Sequence, residues 1–236
     1  MAERPIFIPA PQSPVLVEEV FLQLRWNSGF ALVQKEKNIR ALHDAARAKG
    51  IGEVLEVSSK SSEEIGRKLS AFNLKVRRES FDKLPLEVVF QGSKVFTGGG
   101  PYRDLYDKEP RDAKKDSRLK ESGSLTAFDF DQFCWPLEPK TAFYDWLYLG
   151  CLYPLRERAP EKLFKYAAFS DIEFNPTRSI NCQARSVALF VSLLKRNLLD
   201  EAMRSPTSFL AVLNNSAYRP QLHSDSTSRD LFPHRH

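Results

Sequence analysis

Residues 84–94 read LPLEVVFQGSK. Pro85 suits a helix start, where its fixed φ fits the first turn and its missing N–H costs nothing. Glu87, Gln91 and Lys94 follow at i, i+4 and i+7, so a helix here lines a carboxylate, an amide and an ammonium along one face. Leu86, Val89, Phe90 and Val95 flank that face and predict that it is held against a core. A glutamate so placed is either half of a surface ion pair or, if it points from an apolar helix into a cleft, a group for acid or base chemistry.

Working back from this helix, residues 74–78 predict a strand, and residues 69–73 close a helix that starts near Ser62, Glu63 and Glu64. The serine-rich run at 58–62 is expected to turn the chain and cap that helix. Residues 54–57 read as a short strand. Ile39, Leu42 and Ala46 recur at helical spacing within 36–48, and Gly50 follows as a stop. His43 in this helix is expected to be an ordinary, partly buried or surface histidine, since no second ligand lies at metal spacing to it. Residues 15–24 predict a strand ending before Trp26, with Asn27, Ser28 and Gly29 as the turn, and the proline-spaced run 5–14 is expected to be extended.

Working forward, Gly98, Gly99, Gly100 and Pro101 form a breaker that lacks the GxGxxG pattern of a nucleotide fingerprint. Residues 102–120, dense in both charges, read as a solvated helical face laced with ion pairs. Residues 124–133 are apolar with Asp129 and Asp131 interposed, and 143–153, FYDWLYLGCLY, predict a buried helix. Asn175 and Pro176 start a turn, and Ser179 or Asn181 is expected to cap the helix that carries Arg185, Leu189, Phe190 and Leu193. The order of elements predicts an α+β fold, helix-rich with a small sheet. No internal repeat or linker divides it, so one domain over 1–217 with an N-terminal extension is expected, followed by a polar, disordered tail at 218–236.

Composition narrows the function classes. A hydrophobic content of 42% with 28% charged residues describes an ordinary soluble globular protein, and a formal charge of +5 permits a phosphate-bearing partner without demanding one. Cys134, Cys151 and Cys182 have neither metal spacing nor a disulfide framework, which fits a reducing cytoplasm. No apolar run is long enough to span a bilayer. The four histidines lie at 43, 223, 234 and 236, and Ser58, Ser70 and Ser93 lack a G-x-S-x-G context, so a nucleophilic triad is not supported. Carboxylates are the better candidates: Glu87, with Asp171 or Glu173 if the fold brings them near. The run DIEFNPTRSINCQAR at 171–185 adds a helix start with Arg178 and Arg185 close by, which suits a phosphate or diphosphate. Its alternative is a loop held by an Asp–Arg pair.

At these residues the chain resembles the NADAR family, and within it the antitoxins associated with the DNA-targeting ADP-ribosyltransferase DarT. Residues 69–73, LSAFN, resemble an L-S-N-F-Y segment; 87–94, EVVFQGSK, resemble an E-H-x-F-Q-x-x-K helix; and 110–115, PRDAKK, with Arg118 after them, resemble an S-P-R-E-A-K segment and its later arginine. Residues 181–185, NCQAR, fall where the family has an N-x-L-G helix start, after an acidic loop that Asp171 would represent. Val88 stands where the family has histidine, and Ala71 where it has asparagine.

The resemblance implies an α+β hydrolase that cuts an N-glycosidic bond, with no metal or other cofactor. It implies ADP-ribose on guanine in DNA as substrate, ADP-ribose as product, and functional pairing with a DarT-type toxin, in the cytoplasm and away from membranes. By the same resemblance Glu87 is the principal catalytic carboxylate, as acid or base; Lys94 orients it or binds ribose or phosphate; and Asp171 completes the catalytic set. Phe72, Phe90, Gln91, Arg118, Asn181 and Arg185 are the expected substrate-binding residues. Two other functions compete: an N-glycosidase of a phosphorylated riboflavin-pathway pyrimidine, and a non-enzymatic protein that binds nucleic acid or the toxin.

Overall fold

The structure, a computed structural model, describes residues 1–78 and 81–215, so the expectation for 218–236 lies outside the described residues. The chain begins with β1 (Ala2–Pro9), β2 (Val17–Leu24), α1 (Leu32–Ala48), β3 (Val54–Glu56) and α2 (Glu64–Lys68). A hairpin of β4 (Lys75–Arg78) and β5 (Phe81–Pro85) runs without a loop into α3 (Leu86–Gly92), and one residue later β6 (Lys94–Phe96) begins. A 3-10 turn at Arg103–Asp107 precedes α4 (Pro110–Lys114), α5 (Arg118–Glu121), β7 (Leu125–Phe130) and β8 (Phe133–Trp135). Then come α6 (Ala142–Leu152), α7 (Ala159–Leu163), β9 (Ala168–Ser170), α8 (Gln183–Lys195), α9 (Leu199–Ala202) and α10 (Pro206–Asn215).

The fold is α+β and helix-rich, as the element order predicts, but the described strands form three sheets rather than one. The main sheet has the order β2-β1-β9-β3, with β1 antiparallel to both neighbours and β9 parallel to β3. β4 and β5 pair only with each other, and β6, β7 and β8 form a third, antiparallel sheet. The division follows from chain length: β5, α3 and β6 succeed one another with almost no connecting residues, so each short strand pairs with its local neighbour. The proline-spaced N-terminal segment supplies an inner strand of the main sheet rather than an appendage. β9 bonds β1 only at Ile6 and Phe7, so Pro5 and Pro9 fall outside that shared ladder and their missing donors cost it nothing.

α6 and α8 are the apolar centre. Every residue of α8 from Gln183 to Leu193 is buried, and α6 hides Phe143, Trp146, Leu147 and Tyr148. Trp135 stacks obliquely on Trp146 at 5.3 Å and meets Phe209 of α10, so aromatic rings tie the third sheet to the helices. A second, smaller core lies under α1, where Leu42 and Ala46 pack with Ile6, Leu22 and Ala168.

Helix starts differ most from expectation. α1 begins at Leu32 rather than residue 36, after Ala31, which makes no side-chain cap. Ser62 does not cap α2: Glu63 occupies that position, while Ser61 Oγ accepts the Glu63 N–H and Ser58 turns inward to Glu56. Neither Ser179 nor Asn181 caps α8, because the extended residue before it is Cys182; Ser179 Oγ donates to the Asn181 carbonyl instead. Gly66 allows α2 to press on β3, since a Cβ there would lie 2.1 Å from the Glu56 carbonyl oxygen.

Candidate active site

α3 carries Glu87 in its first turn and Gln91 in its last. The helix stops at Gly92, so Lys94 arrives on β6 rather than on the helical face, yet its side chain returns to the same side. Lys94 Nζ donates to Gln91 Oε1, and Gln91 Nε2 donates to Glu87 Oε1 at 2.7 Å. One amide thus joins the buried amine to the carboxylate. Gly100, at φ +87°, lies against this start of β6: a Cβ there would sit 2.4 Å from the Lys94 carbonyl oxygen. The glycine run is therefore a fitted turn beside the site.

Lys94 is 1% exposed, and its Nζ lies 5.2 Å from the centre of the Phe90 ring. Burial lowers its pKa to about 7; the Glu87 charge opposes that shift and the Lys114 charge adds to it. Glu87 keeps partial access to water, with its side chain 22% exposed, and Lys114 Nζ stands 3.7 Å from its Oε1. Lys114 itself is half exposed, so this pair contributes little to stability and more to local potential.

Phe90 packs between Phe128 at 5.3 Å and Phe143 at 6.0 Å, with Tyr144 edge-on at 5.5 Å. A narrow crevice beside these rings is lined by Phe90, Tyr144, Ile180 and Asn181 among others, which brings two of the expected binding residues together. Burial raises the Tyr144 pKa well above its ordinary value, and both Glu87 and Asp171 add to the rise. The phenol therefore lies within electrostatic reach of both carboxylates.

Asp171 follows β9 and is buried. It accepts the Glu173 N–H at 3.0 Å and a hydrogen bond from the Gln183 side chain. Burial, then the charge of Glu56, raises its pKa well above the usual carboxylate range. The other end of Gln183 accepts the Ala71 N–H at 2.8 Å and the Ser70 hydroxyl at 3.4 Å. A single amide at the start of α8 thereby fastens the 69–73 turn to Asp171, and Tyr148 secures the same turn by donating to the Leu69 carbonyl. Phe72 stands out from that turn, 75% exposed.

The two arginines are held by acids. Arg118 spans Asp104 and Asp116, with Nη2–Oδ2 at 2.6 Å and Nε–Oδ1 at 2.8 Å, and its guanidinium lies over Tyr102. These bonds hold the Asp116 carboxyl below its ordinary range and raise Arg118. Residues 102–120 are thus the ion-paired surface that their charges predict. Arg185, 3% exposed, pairs with Glu19 at 2.8 Å and with Asp145 at 3.7 Å, and donates to Thr141. The Asp–Arg alternative for this region holds in form, but the acids come from β2 and α6 rather than from Asp171. Arg185→Ala would leave Glu19 buried without this partner. We expect a loss of about 3–5 kcal/mol in urea denaturation.

Four residues of this constellation were not singled out from sequence. Lys114 sits in a run that reads as solvated charge, Tyr144 in a run that reads as core, and Gln183 carries no charge to mark it. Glu56 lies in a strand whose two other residues are apolar. Among the described residues no group of three histidine, cysteine or acidic side chains could hold a metal ion, and no helix is long and apolar enough to cross a membrane. A larger hollow of about 610 Å³, lined by Pro11, Gln12, Lys195 and Arg196, has no acid in its wall among the described residues and contains none of the residues above.

The family model NADAR-DarT1, described as DarT1-associated NADAR antitoxin, matches residues 2–223. Comparison with curated proteins gave no match.

Proposed function

The chain belongs to the family of DarT1-associated NADAR antitoxins, and from that premise we propose that it is an N-glycosidase that removes ADP-ribose from guanine bases in DNA and so reverses the work of a DarT-type toxin. The observation that carries this reading is the Glu87–Gln91–Lys94 chain. It offers a carboxylate with access to water, steadied on one oxygen by an amide that a buried amine holds in turn. Because Gln91 occupies Oε1, Glu87 Oε2 is the oxygen suited to receive a proton from an attacking water, and we assign Glu87 the role of base. The bond from ribose to guanine breaks with its electron pair passing to the guanine nitrogen, while water adds to the ribose carbon and gives a proton to Glu87. That proton then passes to the departing nitrogen, so that guanine and free ADP-ribose are released and Glu87 is regenerated as a carboxylate.

Lys94 faces the ribose or the diphosphate. Asp171, kept neutral by burial, donates toward the ribose side from across Tyr144. Asn181 and Phe90 contact the substrate at the crevice, and the exposed Phe72 ring stacks on a flat base. Arg118 and Arg185 serve at one remove, holding the charged surface and the start of α8. Arg196 likewise donates to the Pro11 and Ser13 carbonyls, so the basic stretch around α8 offers DNA fewer unoccupied donors than its sequence suggests. Most of the binding would then come from ADP-ribose itself.

The test is to incubate the purified protein with DNA that is already modified and freed of toxin, adding no metal or redox cofactor. Release of ADP-ribose with restoration of guanine supports the reading. The phosphorylated riboflavin-pathway pyrimidine is assayed beside it, and exclusive turnover of that compound would overturn the substrate assignment. Protection by Glu87→Gln with no ADP-ribose released would instead point to a protein that sequesters the toxin or its product.

A further inference from the structure

Glu56 takes no part in the mechanism above, yet it is almost wholly buried, 3% exposed, at the end of β3. Three donors converge on its carboxylate. Ser58 Oγ reaches Oε1 at 2.6 Å, the Ile172 N–H reaches the same oxygen at 2.9 Å, and Ser170 Oγ reaches Oε2 at 2.5 Å. Ser170 and Ile172 are the two residues on either side of Asp171. His43 of α1 completes the array, with Nε2 2.9 Å from Ser170 Oγ. Since that hydroxyl donates to Glu56, it can only accept from His43, which places a proton on Nε2 of the imidazole. Burial lowers the His43 pKa to about 4, which keeps the ring neutral.

We propose that Glu56 is a positioning residue for Asp171, gripping the residues on both sides of it, Ser170 by its hydroxyl and Ile172 by its backbone N–H, from within the core and setting the charge against which Asp171 works. A serine between a histidine and a glutamate is the wrong order for a nucleophilic triad, in which the histidine stands between the other two. The array faces inward on the β9 backbone and acts through Asp171. Building a buried carboxylate there is costly, and burial raises the Glu56 pKa to about 7. With three donors aimed at it, Glu56 is the member of the pair that ionises first, and its charge is then the second cause, after burial, that keeps the proton on Asp171.

The other groups facing Asp171 are Glu173 on its own loop, whose charge acts in the same sense, Tyr144 and Tyr148 of α6, and Cys182 before α8, all three neutral. Lys35 of α1 is 3.1 Å from Glu173 and partly offsets that acid. Glu56 is therefore the charge that a single substitution can remove without altering the loop.

This inference rests on Asp171 serving the proposed hydrolase, and the experiment separates the two. Glu56→Gln retains an acceptor for Ile172 and Ser58 and lets the amide donate to Ser170, which can still accept from His43 Nε2. The side-chain carboxyl of Asp171 is followed by carbon NMR against pH in wild type and in Glu56→Gln, together with kcat and KM on ADP-ribosylated DNA. The expected result is that Asp171 loses its proton at lower pH in the variant. In Glu56→Ala, where the grip is also gone, kcat should fall by up to about 100-fold with KM nearly unchanged. An Asp171 titration that coincides in wild type and Glu56→Gln would overturn the inference, whether or not the protein proves to be a hydrolase. The expected shift in a wild type that releases no ADP-ribose would sustain the positioning role and sink the proposed reaction. If Glu56→Ala fails to fold, the titration of Glu56→Gln decides alone.

Discussion

Glu87→Gln should lower kcat for ADP-ribose release by about 100- to 10,000-fold, the range expected when a positioned acid or base is removed. Its folding should be unaffected. The side chain is partly open to water, the new amide oxygen can still accept from Gln91, and the lost pair with Lys114 is too exposed to contribute much. Affinity for free ADP-ribose, measured by calorimetry, should change by no more than a few-fold, because in its proposed role the group acts on water rather than on the sugar. Near-normal turnover by a well-folded Glu87→Gln protein would remove Glu87 from the chemistry.

Lys94→Met carries the second large effect, and it has opposite signs in activity and stability. Turnover should fall by at least about 100-fold, since the amine that holds Gln91 against Glu87 is lost. In the wild type, kcat/KM should decline as pH rises through about 7, where burial places the loss of the Lys94 proton, and that inflection should vanish in the variant. Stability follows from linkage. The unfolded chain keeps the lysine proton up to its ordinary pKa of 10.5, whereas the folded chain releases it near 7. Between those values the unfolded state binds more protons, so stability rises with pH; the burial cost is complete below about 7 and fades toward 10.5. Lys94→Met removes that cost, and its melting temperature should exceed that of wild type at neutral pH, with the gap narrowing by pH 10. Unchanged kinetics would make Lys94 a packing residue.

The legible parts of this protein are those fixed by near neighbours in the chain. Spacing of apolar residues located α1 and α8, a dense aromatic run located α6, and the spacing of Glu87, Gln91 and Lys94 brought those side chains together even though the helix ends two residues before the lysine. Helix starts were less legible because α1, α2 and α8 have no side-chain cap to announce them. Distance in sequence hid the rest. Asp171 meets Glu56 only because Ala168–Ser170 aligns with Val54–Glu56, and three residues carry no pattern that names their partner. A basic residue near a helix start reads the same whether it awaits a phosphate or, as Arg185 does, pairs with an acid from residue 19. Gln183 fastens two parts of the site with an uncharged amide, which no charge or period reveals.

The short strand β9 has a consequence for how the protein comes into being on the ribosome. It sits between β1 and β3, so β3 has no strand beside it, and β1 has only β2, until residues 168–170 leave the exit tunnel. The link from Glu56 to Ser170 spans 114 positions. At a usual rate of synthesis, β3 waits roughly ten seconds for its partner. Throughout that interval the carboxylate of Glu56 lacks its serine and amide donors from the 170–172 segment, and the Asp171 side of the site does not exist. A nascent chain therefore gains its proposed activity late and in one step, and a truncation anywhere before β9 should yield a protein without the main sheet rather than a weakened enzyme.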